Sequence, residues 1–137
     1  MDVNGAARDS PEIRGAVDGI VAAFGAGRLD DYFSRFDPNA TFVFYTAPER
    51  LESVKAYRAL WSTWVAESGL RVTDCRTSDT MIQQAGEVAV VSHSVRTEIE
   101  TNDGPETLLE RETIVLERRS DGRWLGIHEH LSPASDD

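Results

Sequence analysis

At Gly69 the hydrophobic period of the chain changes, and this switch restricts the fold more than any motif does. Before it, apolar side chains recur about every 3.6 residues, the spacing of one helix face; after it they recur at every second residue, the spacing of one strand face. Helices come first, and strands then run to the end. A chain ordered in this way packs its helices on one side of a sheet, the α+β arrangement.

Three helical segments precede the switch. Ser10-Pro11-Glu12 reads as a helix start, with Ser10 as N-cap and Pro11 at the first helical position. Ile13, Val17, Ile20, Val21 and Phe24 then repeat at helical spacing until Gly25 and Gly27. A short second helix, about 29–36, presents Leu29, Tyr32, Phe33 and Phe36 and is broken by Asp37-Pro38-Asn39. The third, about 53–68, starts at Ser53, closes at Gly69 and carries Val54, Tyr57, Trp61, Trp64 and Val65 on one stripe. Between the last two helices, Ala40 to Thr46 is rich in β-branched and aromatic residues and reads as a strand.

Beyond Gly69, residues 70–77 and 80–84 form an irregular strand pair or one bulged strand, followed by strands at 88–101, 108–119 and 124–132. Asn102-Asp103-Gly104-Pro105 and Ser120-Asp121-Gly122 are hairpin connections, so the last three strands form an antiparallel meander. Long strands bend when they wrap a helix. The expected fold is a cone-shaped half-barrel, a strongly curved, mainly antiparallel sheet wrapped around the N-terminal helices. It forms one domain over 11–132, with a loose start at 1–10 and an acidic tail at 133–137. A hollow is expected between the Tyr57-Trp61-Trp64 stripe and the concave face of the sheet.

Trp124-Leu-Gly-Ile-His-Glu-His-Leu-Ser132 is the stretch richest in chemistry. Strict alternation puts Trp124, Gly126, His128 and His130 on one face and Leu125, Ile127, Glu129 and Leu131 on the other. One face points into the fold, so either an imidazole pair or a carboxylate lies inside. His130, with Glu129 and His128 beside it, is the candidate acid/base, because an imidazole titrates near neutrality and can take and return a proton. The competing reading packs both imidazoles at an interface between subunits. His93, on the strand at 88–101, is the remaining histidine. It could join His128 and His130 around a metal, but no acid cluster accompanies them and no metal site is expected.

Arg111 and Glu112 are neighbours on one strand, so only one of them faces inward. Facing inward, Arg111 could pair with Glu129 or hold a polar substrate atom; facing outward, it joins Arg96, Glu98 and Glu117 in an exposed ion-pair group. Phe42 and Phe44, or else Val43 and Tyr45, line the hollow by alternation. Tyr57 or Tyr45 could donate its hydroxyl to a ligand oxygen.

With 24 acidic against 14 basic residues, the net charge of −10 repels a phosphate backbone, which argues against nucleic acid and anionic membrane as partners. No apolar run is long enough to span a bilayer, and the first residues lack the order of a signal peptide, so a cytoplasmic location is expected. Cys75 is the single cysteine and reads as a small buried hydrophobe in a strand.

Together, the Gly-terminated first helix, the 40–45 strand after Asp37-Pro38-Asn39, the aromatic third helix, the strand Arg111-Glu112-Thr113-Ile114-Val115 and the ending from Gly122-Arg123-Trp124 to Ser132 resemble one superfamily. It is that of SnoaL-like, nuclear transport factor 2-like and ketosteroid-isomerase-like cone folds. The resemblance spans about 11–132 and implies a homodimer pairing through the outer face of the sheet. It leaves the chemistry open, since the fold hosts isomerases, cyclases, hydrolases and association domains. Polyketide cyclases of this type end in Ile-x-Glu-His-x-Asp; Ile127, Glu129 and His130 match, but Ser132 stands where the catalytic Asp would be. No acid in the 42–45 strand matches the base of the steroid isomerases. The association domain of calcium/calmodulin-dependent protein kinase has carboxylate-binding arginines where Leu131 and Ile114 stand here, and Tyr57 falls at one of its pocket histidines. The cyclase comparison turns His130 inward and the kinase comparison turns the Leu131 face inward, a difference that a bulge reconciles.

The functional expectation is a pocket for a small, apolar or neutral organic ligand. Its wall would comprise Tyr57, Trp61, Trp64, Phe42, Phe44, Tyr45, His93 and Arg111. If the protein is an enzyme, it isomerises, cyclises or dehydrates by proton transfer without a cofactor, with His130, Glu129 and His128 as catalytic residues. The alternative is a non-catalytic binding or association module.

Overall fold

The computed structural model describes residues 10–134. Most of the expected loose start and the end of the acidic tail lie outside the described residues. Ser10 begins the first helix as its sequence implies: its Oγ accepts from the Ile13 amide at 3.3 Å, and α1 (Pro11–Gly25) buries Ile13, Val17, Ile20 and Ala23. A short α2 (Leu29–Ser34) buries Tyr32 and Phe33. The first strand, β1 (Phe36–Phe44), starts earlier than expected, because Phe36 already pairs with Gly126 before the register becomes irregular through Asp37-Pro38-Asn39.

In α3 (Val54–Ser68), Ser53 Oγ accepts from the Ala56 amide at 3.0 Å. The helix stops at Gly69, whose φ of +66° is the left-handed conformation that only glycine adopts cheaply. Only part of its apolar stripe is covered, since Tyr57 and Trp61 are buried while Val65 stays 43% exposed.

The rest is sheet: β2 (Arg71–Ala85), β3 (Val88–Thr101), β4 (Gly104–Arg118) and β5 (Trp124–Pro133). Of the two readings open for 70–84, the bulged single strand is the one formed. Its register slips between Ser78 and Met81, where Asp79 has a φ of +55°. The five strands make a curved, unclosed sheet in the order β1-β5-β4-β3-β2, antiparallel except where β1 runs parallel to β5. This is the expected α+β half-barrel.

One irregularity decides what the cone contains. Val115 pairs with His128 and Leu116 with Gly126, so Ile127 is an extra residue with no partner on β4. A bulge of this kind reverses the side-chain parity of the strand beyond it. Trp124 and Gly126 are therefore buried on the inner face, and Glu129 rather than His128 or His130 continues that face. Strict alternation over 124–132 is corrected by this one residue. Gly126 itself is fixed by a close approach, because a Cβ there would lie 2.5 Å from the Phe36 ring.

Candidate functional site

The inner face of each central strand carries an apolar stripe interrupted by polar residues. On β3 it runs Ala89, Val91, His93, Val95, Thr97, Ile99, all buried. On β4 the matching positions are Leu108, Glu110, Glu112, Ile114 and Leu116, with His93 directly opposite Glu112. β5 adds Glu129 and Leu131. The stripes face Ile20, Val21 and Phe24 of α1, Tyr32 of α2, and Tyr57, Trp61 and Trp64 of α3 across a cavity of about 340 Å³. Its wall is mainly apolar, and its ionisable groups include Glu106, Glu110, Glu112 and Glu129.

A row of polar side chains, Tyr57, Tyr32, Glu129 and Glu112, lies along the cavity wall with His93 behind it. The Tyr57 and Tyr32 hydroxyls are 3.0 Å apart, and Tyr32 donates a long bond of 3.5 Å to Glu129 Oε1. Glu129 and Glu112 act on each other's titration from the same wall, and Glu112 Oε1 lies 2.7 Å from His93 Nε2. His93 is fully enclosed and its Nδ1 is unpartnered. A hydrogen on Nε2 leaves only a lone pair unsatisfied at Nδ1, so the geometry assigns that tautomer, with His93 donating to Glu112.

Two carboxyls this close in an apolar site cannot both ionise easily, and their surroundings push them apart. Burial drives Glu129 well above the ordinary carboxylate range, and the charge of Glu112 adds to that. For Glu112, burial acts upward too, but hydrogen bonds from Glu129 and His93 outweigh it and hold the group below its usual range. Between those two titrations the pair as a whole holds one proton, with Glu129 the member raised and Glu112 the member lowered. Burial also raises both Tyr32 and Tyr57, with the charge of Glu129 next in effect, so both phenols stay protonated donors. Nearer the mouth, Glu110 is 95% buried, accepts from Tyr45 Oη at 2.5 Å, and is raised by burial despite that bond.

The SnoaL-like domain family matches residues 13–136, nearly the whole chain. The chain belongs to this family. No curated protein matches it. Solved structures similar to this SnoaL-like domain include the calcium/calmodulin-dependent protein kinase II hub of S. rosetta (21% identity, 92% of this chain and 97% of that one, TM-score 0.73). Also similar are an NTF2-like protein of unknown function in nutrient uptake from Rhodospirillum rubrum (18%, 90% and 98%, 0.75) and a ketosteroid isomerase-like protein from Erwinia carotovora atroseptica (12%, 90% and 95%, 0.75). At these identities the likeness is one of fold, and the fold houses proteins as different as an isomerase-like protein and a hub.

Within this SnoaL-like domain, the residues singled out from sequence divide three ways. Glu129, Tyr57, Trp61, Trp64 and Phe44 line the cavity. Phe42, His93 and Tyr45 stand behind its surface. Phe42 is fully buried against Phe36, Phe44 and Tyr57; His93 backs Glu112; Tyr45 is 45% exposed and reaches the site only through Glu110. His128, His130 and Arg111 do not reach it. His128 is half-buried on the outer face, with Nδ1 2.8 Å from Thr41 Oγ1, and His130 and Arg111 are exposed. With His93 inside and the other two imidazoles outside, the three do not converge, and no cluster of three metal-ligating residues occurs among the described residues.

Glu110, Glu112 and Tyr32 were not singled out as site residues. The signal for the acids was present: Leu108-x-Glu110-x-Glu112-x-Ile114-x-Leu116 is an apolar alternation in which two carboxylates occupy inward positions. Tyr32 gave no such signal, since its helical spacing is that of ordinary core. Cys75 also lines the cavity, where burial pushes its thiol to about 12, a group too reluctant to ionise to serve as a nucleophile.

Proposed function

We propose that this SnoaL-like domain binds a small organic molecule with a largely apolar body and moves a proton on it, with Glu129 as acid and Glu112 as base. The observation that supports this most strongly is that two inward-facing carboxyls, Glu129 bonded by Tyr32 and Glu112 bonded by His93, line one wall of an apolar cavity. Neighbouring groups whose environments separate their titrations supply one acid and one base at the same pH. In an isomerisation, the Glu112 carboxylate takes a proton from carbon beside a carbonyl. The C–H electron pair becomes a carbon–carbon double bond and the carbonyl π pair moves onto oxygen, where Glu129, turning its proton from Glu112, and Tyr57 stabilise it by donation. Returning the proton to a different carbon completes the shift. His130 has no part in this scheme, being exposed on the outer face.

The test uses 2-tetralone in deuterated water, with α-hydrogen exchange followed by proton NMR. The protein should accelerate exchange, and Glu129→Gln should reduce the acceleration by about 10²- to 10⁴-fold. No acceleration over buffer, or equal acceleration by the variant, would count against the assignment.

A second property is supported by the likeness to hub and association domains. We infer that the protein forms a homodimer through the outer face of the sheet, where His128 and His130 lie. Light scattering coupled to gel filtration should give about twice the 15.2 kDa chain mass; a monomer mass at micromolar concentration would refute the pairing.

A further inference from the structure

The lining of the cavity points away from the apolar or neutral ligand that the sequence leads one to expect. Four carboxyl side chains line the cavity, those of Glu106, Glu110, Glu112 and Glu129, and no lysine, arginine or histidine does so among the described residues. Glu129 and Glu112 share a proton and, with His93, are satisfied internally. Glu110 is different. It is 95% buried, Tyr45 donates to its Oε2, and among the described residues it has no cationic partner. Glu106 lies at the exposed rim beside it in the same wall.

From the enclosed Glu110 carboxyl, the acidic rim and the aromatic wall, we propose that the ligand is an organic cation: a protonated amine on an apolar, aromatic-sized body. This rests on the cavity being a binding site, as proposed above, and adds the charge of what it binds. A neutral molecule filling the hollow would strip water from the Glu110 carboxylate and return nothing, whereas an ammonium group supplies the missing charge partner. Trp61 and Trp64, packed edge to face with ring centroids 5.7 Å apart, give the wall an aromatic surface for the hydrocarbon body. An anion meets four acidic side chains and no cationic one in this wall, on a chain of net charge −10 that repels it during approach.

Isothermal titration of the full chain with three molecules sharing one hydrocarbon body decides the matter: 2-naphthylmethylamine, 2-naphthylmethanol and 2-naphthoate, near neutral pH. The amine should bind at least about tenfold more tightly than the alcohol, with the carboxylate weakest. Glu110→Gln keeps an oxygen to accept from Tyr45 and removes the charge, and should bring the amine to within about threefold of the alcohol. Alcohol binding equal to or tighter than amine binding overturns the cation assignment while leaving the cavity as a ligand site. Amine preference that survives both Glu110→Gln and Glu106→Gln overturns the role given to these carboxylates. If none of the three molecules binds, the cavity itself is not a site for ligands of this kind, and the parent proposal falls with the assignment.

Discussion

Replacing Phe42 with alanine is expected to lower the unfolding free energy by about 3–5 kcal/mol, the usual cost of removing a wholly buried aromatic ring. Phe42 has no exposed surface and packs against Phe36, Phe44 and Tyr57 with ring centroids 4.7–5.7 Å apart. Its backbone also bonds both ways to Leu51, at 2.8 and 2.9 Å, which ties β1 to the segment leading into α3. With the surroundings so held, the structure cannot collapse into the space, and the void persists. Phe44, two residues on and facing the same side, already borders the hollow, so Phe44→Ala widens existing space and should cost less. Urea denaturation of both variants checks this: the midpoint should fall much further for Phe42→Ala, with little change in slope. Equal losses would mean that Phe42 borders the cavity as Phe44 does.

The second large effect is a reversal of the usual result for a buried, hydrogen-bonded acid: Glu129→Gln should make the protein more stable in alkaline solution. Glu129 titrates well above its unfolded value, chiefly because it is buried. The folded chain therefore holds a proton that the unfolded chain releases near pH 4.3, roughly. Stability from this group is complete below that unfolded value and is lost as pH rises through the folded one. Glu112 has the opposite sign, since its folded titration is lowered; its contribution is present above the unfolded value and is lost only in acid. Of this pair Glu129 gives the slope above the unfolded carboxylate range, and because Glu110, Cys75 and the two tyrosines are unchanged in the variant, comparing variant with parent isolates it. Glutamine mimics the protonated acid, because its amide can donate to Glu112 while its oxygen accepts from Tyr32. Thermal melts should show the variant gaining on the parent as pH rises from mildly acidic to alkaline. A gap that stays constant or closes would show that Glu129 is not held neutral in the folded state.

The sheet and helices were legible in sequence because their signals are local. Ser10 and Ser53 at helix starts, Gly69 at a stop, and the connection Asn102-Asp103-Gly104-Pro105, of which Gly104 and Pro105 already belong to β4, each specify backbone geometry within a few residues. The interior was less so, and the reason is a single residue. Ile127 looks like any apolar position of an alternating strand, yet as a bulge it exchanges which of His130 and Glu129 faces inward. Whether a strand bulges depends on the partner strand, here on the step from Val115 to Leu116, and this is not written in the strand itself. On β4 the alternation did hold. Glu110 and Glu112 sat in it openly, but acids in an apolar stripe are ordinarily taken for a solvated face. Only the packing of all three helices over the sheet turns that face into a cavity wall. The aromatic lining was the easier part, since Tyr57, Trp61 and Trp64 recur at helical spacing next to the cavity they enclose.

The proton shared between Glu129 and Glu112 can be observed without any ligand or substrate. Glutamate labelled with carbon-13 at the side-chain carboxyl gives a resonance for each residue, assigned by its loss in Glu129→Gln and Glu112→Gln and followed by NMR across a pH titration. The Glu129 signal should remain that of a protonated acid well past the ordinary carboxylate range, while the Glu112 signal stays ionised down to below it. Two signals titrating together in the ordinary range would mean that no proton is held between these side chains.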